Sequence, residues 1–183
     1  MPRTVDEYLL WACDGPHGDT EFVDGEVIER MAPERSEHAV YKYAAFQAFD
    51  RAARSLGGRY KVVGDGLSVT TPLGSVREPD MLVNDGPLTR GVLTAPKPIL
   101  LLEGASRGTA ANDRGLKLEE YFSIPTVRHY IILLPEKKTA IWHQRIDGSP
   151  DLATKIVASG SMAIEPYGLI VDVGSCFDDS AFE

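Results

Sequence analysis

An aspartate preceded by proline, Pro79-Asp80, and a glutamate at the end of an apolar run, Ile99–Leu102 then Glu103, are the residues in this chain best suited to chemistry. A carboxylate emerging from a buried strand adds little to packing. Its charge must be solvated, paired or metal-bound, because burying it alone costs several kcal/mol, roughly. Two such groups brought together repel each other unless a cation lies between them. Magnesium suits that arrangement, since it takes hard oxygen ligands, commonly one or two carboxylates with waters and a substrate phosphate. A nearby lysine can orient or help deprotonate an attacking water, or offset charge on a pentavalent phosphate. Each residue also has a plainer reading. Pro-Asp is common in turns, Glu103 can be an exposed strand end, and Lys117 can be a solvated helix lysine paired with Asp113 or Glu120.

The elements that must position these residues can be traced along the chain. Thr4-Val5-Asp6-Glu7 has capping-box spacing and opens a short helix. Glu21-Phe22-Val23, the Asp24-Gly25 turn and Glu26-Val27-Ile28 read as a β-hairpin, ended by Pro33. Ser36 is placed to cap a helix over about 37–56, whose apolar residues recur every three or four positions before Gly57-Gly58 ends it. Strands are expected over Tyr60–Val63 and Leu67–Thr70, through Asp80–Val83, and at Ile99–Leu102, an apolar run covered on both faces. A helix from Asn112 or Asp113 to about Phe122 is closed by Pro125. Two further strands follow, Tyr130–Leu134 and Thr139–His143, with a turn at Asp147-Gly148. The pattern is that of one mixed α/β domain.

Composition narrows the function classes. The chain has 183 residues, enough for one domain with a real core, and a formal net charge of −8. That charge repels a polyanion at long range, so binding nucleic acid needs a local basic face, bound cations or a partner. No apolar run reaches the length of a membrane span, and the N-terminus has no apolar signal stretch, so a cytoplasmic location is the expectation. The two cysteines, Cys13 and Cys176, form no metal motif. The four histidines (His17, His38, His129, His143) lack paired spacing, which disfavours a zinc hydrolase. Nucleotide-binding glycine motifs and a G-x-S-x-G elbow are absent as well.

Taken together, the motifs resemble one family. They are the Thr4–Trp11 helix, Glu21-Phe22-Val23-Asp24-Gly25-Glu26, Met31-Ala32-Pro33 followed by His38, Pro79-Asp80, and Glu103 with Ser106 and Thr109. Asp113-Arg114-Gly115-x-Lys117 with Tyr121, and Ile124-Pro125-x-Val127-Arg128-x-Tyr130, complete the set. The chain so described resembles the Uma-type family of restriction-endonuclease-like proteins, a branch of the PD-(D/E)XK nuclease superfamily. The resemblance implies a single restriction-endonuclease-like α/β domain over residues 1–183, a central mixed β-sheet flanked by helices. It implies Asp80 and Glu103 as ligands of Mg2+, with Mn2+ as the alternative ion. In most of the superfamily a lysine lies two residues after the glutamate. Ala105 holds that position here, and the resemblance moves the role to Lys117 on the following helix. Glu26 and His38 match further polar positions that the fold is expected to bring near the metal, with Glu26 holding a second ion or its water shell.

This chain departs from the family in two places. Gly104-Ala105-Ser106-Arg107-Gly108 replaces a bulky aliphatic pair followed by Ser-Pro, and His129 replaces the usual acidic residue before Tyr130. The expected activity is metal-dependent hydrolysis of phosphodiester bonds in nucleic acid, DNA foremost, by a homodimer. The alternatives are an inactive nuclease-fold interaction or nucleic-acid-binding module, and a hydrolase of another phosphate ester. A basic patch is expected from Arg107, Arg114 and Lys117, then Arg51, Arg54, Arg59 and Lys61.

Overall fold

The computed structural model describes residues 1–14, 20–29, 35–105 and 111–182, the side chains of 111–114 excepted. Helix α1 (Val5–Cys13) starts where the capping box predicts, with the Thr4 side chain accepting from the Glu7 amide. The hairpin forms as β1 (Thr20–Val23) and β2 (Glu26–Glu29), turning at Asp24 and Gly25, both of positive φ. With β4 (Val69–Thr70) and β5 (Val76–Arg77), which follow β3 (Tyr60–Val63), it makes a small sheet of order β2-β1-β5-β4. Strand β5 is only two residues long, too short to carry a readable alternation.

The central sheet has six strands in the order β10-β9-β8-β7-β6-β3. Its members are β3, β6 (Met81–Asp85), β7 (Pro98–Gly104), β8 (His129–Leu134), β9 (Thr139–Arg145) and β10 (Leu152–Val157). Strands β7 and β8 run parallel, with helix α3 (Ala111–Ser123) crossing between them, and every other neighbouring pair is antiparallel. The result is a mixed sheet flanked by helices, as expected. Residues 106–110, between β7 and α3, lie outside the described part, as do Met31–Pro33 and residues 15–18.

Each face of this sheet has its own core. On one side, α2 (Ser36–Ser55) packs Ala45, Ala48, Phe49 and Ala53 against Leu100, Leu102, Ile131 and Leu133. The hairpin of β11 (Ser161–Ile164) and β12 (Leu169–Asp172) extends that layer through Met162, Ile164, Leu169 and Val171. On the other side, α3 packs Tyr121, with partly buried Leu118 and Phe122, against Leu101, Tyr130 and Ile132. Successive β7 residues point to opposite faces, so an apolar run without alternation is what a doubly covered strand requires. One sequence expectation is corrected: Ser36 lies inside α2, whose N-cap is Arg35 without a side-chain bond. On α3, Leu116 is exposed while the partly buried Leu118 packs.

Candidate metal centre

Strands β6 and β7 are antiparallel neighbours with Met81 opposite Leu102, so the residue entering β6 and the residues leaving β7 meet at one end of the sheet. Those residues are Asp80, Glu103 and Gly104. Asp80 is 4% exposed, and its Oδ2 accepts from the Gly104 amide at 2.7 Å. The hydrogen-bonded antiparallel register thus holds the aspartate beside the glutamate's own strand.

The alternation of β7 divides the site between the two helices. Glu103 lies on the α3 side, where Lys117 Nζ donates to its Oε1 at 2.9 Å and the Tyr121 hydroxyl donates to the same oxygen at 2.6 Å. Lys117 and Tyr121 are one turn apart on α3 and therefore share a face. Burial pushes the Glu103 carboxyl up; the Lys117 charge opposes this, and the Asp80 charge adds to it. Burial likewise pushes the Tyr121 phenol well up, so it remains a donor to Glu103. Gly104 lies on the α2 side. There His38 Nε2 donates to the Gly104 carbonyl at 2.9 Å and stands 3.6 Å from Asp80 Oδ2. One turn along α2, Lys42 reaches Asp65 at 2.7 Å and Asp80 Oδ1 at 3.8 Å.

Behind Lys117 lies a ring of charges that the sequence did not disclose. Glu21 on β1 is buried, 4.0 Å from Lys117 Nζ. It accepts from Arg77 Nη1 at 2.8 Å and from the Glu78 amide at 3.1 Å. Arg77 turns its Nε to Glu120 at 2.6 Å, and Glu120 also accepts from the Ser75 hydroxyl at 2.6 Å. Glu120 is one turn beyond Lys117 on α3, so the ring closes on the helix where it began. Burial would raise the Glu21 carboxyl, but Lys117, Arg77 and the Glu78 amide outweigh it and hold that carboxyl below its ordinary range. Burial would lower the Arg77 guanidinium, yet Glu120 and Glu21 raise it, so it is a fixed cation. Two signals in sequence bear on this ring: Glu21 precedes the hairpin turn, and Glu120 follows Lys117 by three. Neither identifies Arg77 as their partner.

Glu26 is exposed on β2, beside the hairpin turn, while Glu21 on the facing strand is the hairpin acid buried with Lys117. The side chains of Asp113 and Arg114, with Ser106, Arg107 and Thr109, lie outside the described residues. Arg59 pairs with Asp85 at 2.7 Å, at the end of β6 away from Asp80 and about 15 Å along the strand. Arg51 and Arg54 lie about 20–24 Å along α2 from His38 by helical rise. A cavity of about 260 Å³ lined by Arg54, Lys61, Asp50 and Tyr60 belongs to that far end. Among the described residues, the cations that border the site are Lys117 and Lys42.

The donor set fits a divalent ion on charge. Arg77 and Lys117 are two cations among four carboxylates (Glu21, Asp80, Glu103 and Glu120), a formal excess of two negative charges, and Lys42 at the rim is matched by its own partner Asp65. Among the described residues, no three His, Cys, Asp or Glu side chains are grouped to hold a metal by themselves. Asp80, Glu103 and the Gly104 carbonyl are nevertheless the carboxylate and carbonyl oxygens that magnesium accepts, with waters completing its shell. No helix among the described residues is long and apolar enough to cross a membrane.

No curated protein matches the chain. Among solved structures it is similar to one described as a "putative nuclease belonging to DUF820" from Anabaena variabilis ATCC 29413. The two share 13% identity at a TM-score of 0.73, over 96% of this chain and 98% of that one. At that identity the likeness concerns the fold. The Uma2 family, described as "Putative restriction endonuclease", matches residues 5–169, which span the hairpin, Asp80, Glu103 and Lys117, and the chain belongs to it.

Proposed function

We propose that this protein is a metal-dependent nuclease, one domain over residues 1–183 that hydrolyses phosphodiester bonds of nucleic acid, DNA foremost. The observation that carries the reading is the Lys117–Glu103 hydrogen bond at the sheet end occupied by Asp80. The strand lacks a lysine at 105, and the crossover helix returns one to the same carboxylate.

Asp80, Glu103 and the Gly104 carbonyl would hold Mg2+ or Mn2+. Such an ion, when bound, lowers the pKa of a water and offsets charge on the phosphoryl oxygens. Tyr121 and Lys117 fix the Glu103 carboxylate by donating to one of its oxygens. Lys117, held against Glu103, would orient the attacking water or the phosphate. Glu21 holds the ammonium from behind. Lys42 and His38 approach Asp80 from α2, where a nucleic-acid backbone would lie. A homodimer would supply the two sites that a double-strand cut needs.

Assaying the purified protein on single-stranded DNA, duplex DNA and RNA with Mg2+ or Mn2+ tests this. Cleavage by the wild type, lost in both Asp80→Asn and Glu103→Gln, is the expected result. Equal cleavage by all three proteins would refute it. The net charge of −8 favours a second reading, a non-catalytic interaction module of the same fold. Mg2+-dependent thermal stabilisation that Asp80→Ala removes separates the two, because ligand linkage requires an intact site.

A further inference from the structure

Gly104 and His38 are fitted to each other. A Cβ at Gly104 would come within 2.8 Å of His38 Cδ2 and closer still to Nε2, so no other residue at 104 admits the ring in this position. The glycine stands where the family commonly has a bulky aliphatic residue. It lets an imidazole from α2 reach the backbone carbonyl that follows Glu103.

The ring nitrogen is 2.9 Å from the Gly104 oxygen and 3.6 Å from Asp80 Oδ2. Ligand atoms of one octahedral ion with bonds near 2.1 Å lie about 3.0 Å apart when adjacent and about 4.2 Å when opposite. The first separation is close to the adjacent value, and the second is about 0.6 Å longer than it. An ion replacing the Nε2 proton, with the proton carried on Nδ1 instead, therefore needs only a small movement of the imidazole. Lys42, 3.8 Å from the other Asp80 oxygen, already holds Asp65 at 2.7 Å and can keep that partner when an ion arrives.

We propose that His38 is a protein ligand of the metal, forming with Asp80 and the Gly104 carbonyl a site that discriminates for Mn2+ over Mg2+. This rests on reading the cluster as a metal centre. Imidazole is a good ligand for first-row transition metals, whereas magnesium favours carboxylate, carbonyl and water oxygens. Exchanging a water for an imidazole nitrogen therefore strengthens Mn2+ more than Mg2+.

Pulsed electron paramagnetic resonance on the full chain loaded with Mn2+ reads this directly, independently of activity. A directly bound ¹⁴N is expected in the wild type and absent in His38→Ala, in His38→Gln and in Gly104→Val, which expels the ring without altering it. By calorimetry, Mn2+ affinity should fall at least about tenfold in His38→Gln and Mg2+ affinity less than about threefold. His38→Gln keeps an amide donor for the Gly104 carbonyl, so it guards against a folding defect in the alanine variant. A wild-type spectrum without bound ¹⁴N, or a Mn2+/Mg2+ ratio unchanged in these variants, overturns the proposal. If Asp80→Asn abolishes Mn2+ binding while the His38 variants bind as the wild type does, the metal centre stands and only the histidine ligand falls. If Asp80→Asn also binds as the wild type does, both fall.

Discussion

Lys117 and Glu103 meet at 2.9 Å although one belongs to the crossover helix and the other to the strand before it. Lys117 is 7% exposed and lies between two carboxylates, Glu103 and Glu21. Lys117→Met preserves the length and apolar stem and removes the charge. Cleavage should fall by at least about 100-fold while metal binding persists, the scale of one acid–base or electrostatic contact. Because the pair is buried, the variant should also lose about 3–5 kcal/mol of stability, measured by urea unfolding without metal. Unchanged cleavage would make Lys117 a structural cation only.

Arg77 makes one buried hydrogen bond to each of Glu21 and Glu120, joining β1, β5 and α3. Arg77→Met removes the cation that both buried carboxylates share and should cost about 3–5 kcal/mol. Arg77→Lys should recover only part of this, since an ammonium cannot reproduce the guanidinium's planar, divergent donors. Equal unfolding midpoints for wild type and Arg77→Met would exclude the ring as a stabilising unit.

Glu21 and Glu26 stand on facing strands of one hairpin with opposite surroundings. Glu26→Ala should leave stability within about 0.5 kcal/mol, as exposed substitutions do. Glu21→Gln removes a charge that faces Lys117 and Arg77, and both cleavage and the unfolding midpoint should drop. A larger effect from Glu26 than from Glu21 would reverse their roles.

His129 supplies the pH dependence away from the site. Its Nε2–H donates to the Glu165 carbonyl at 2.7 Å and its Nδ1 accepts from Trp142 at 3.2 Å, which fixes a neutral ring. Burial lowers its pKa from 6.5 to about 4. The unfolded chain then binds a proton that the folded chain refuses between those values. The contribution, up to about 3 kcal/mol, is complete above pH 6.5 and lost as pH falls towards 4. His129→Gln, which can donate and accept at the same places without titrating, should flatten the stability profile over that window.

The basic residues at the far end of α2 and β3 should not read nucleic acid at the site. Replacing Arg51, Arg54 and Lys61 with alanine should leave the slope of log affinity against log salt unchanged. Lys42→Gln should lower it by about one phosphate contact. The opposite pattern would move the binding face to the cavity beside Arg54.

The elements that carry the site were legible in the chain because their signals are local. Thr4 caps within its own turn, the Asp24-Gly25 turn sets the hairpin, and the covered strand at Ile99–Leu102 is apolar without alternation. Positions such as Asp80 and Glu103 stood out because a carboxylate at a buried strand end is poorly explained by packing. What the sequence could not state is which distant residues meet. Arg77 lies 56 residues from Glu21 and 43 from Glu120, on a strand too short to show a period. His38 lies 66 residues from the Gly104 carbonyl, and the absence of a side chain at 104 reads along the chain only as flexibility. Those partnerships follow from the β6–β7 register and from two helices closing on opposite faces of one sheet end. That arrangement is set by burial summed over the whole fold, and no local window of sequence contains it.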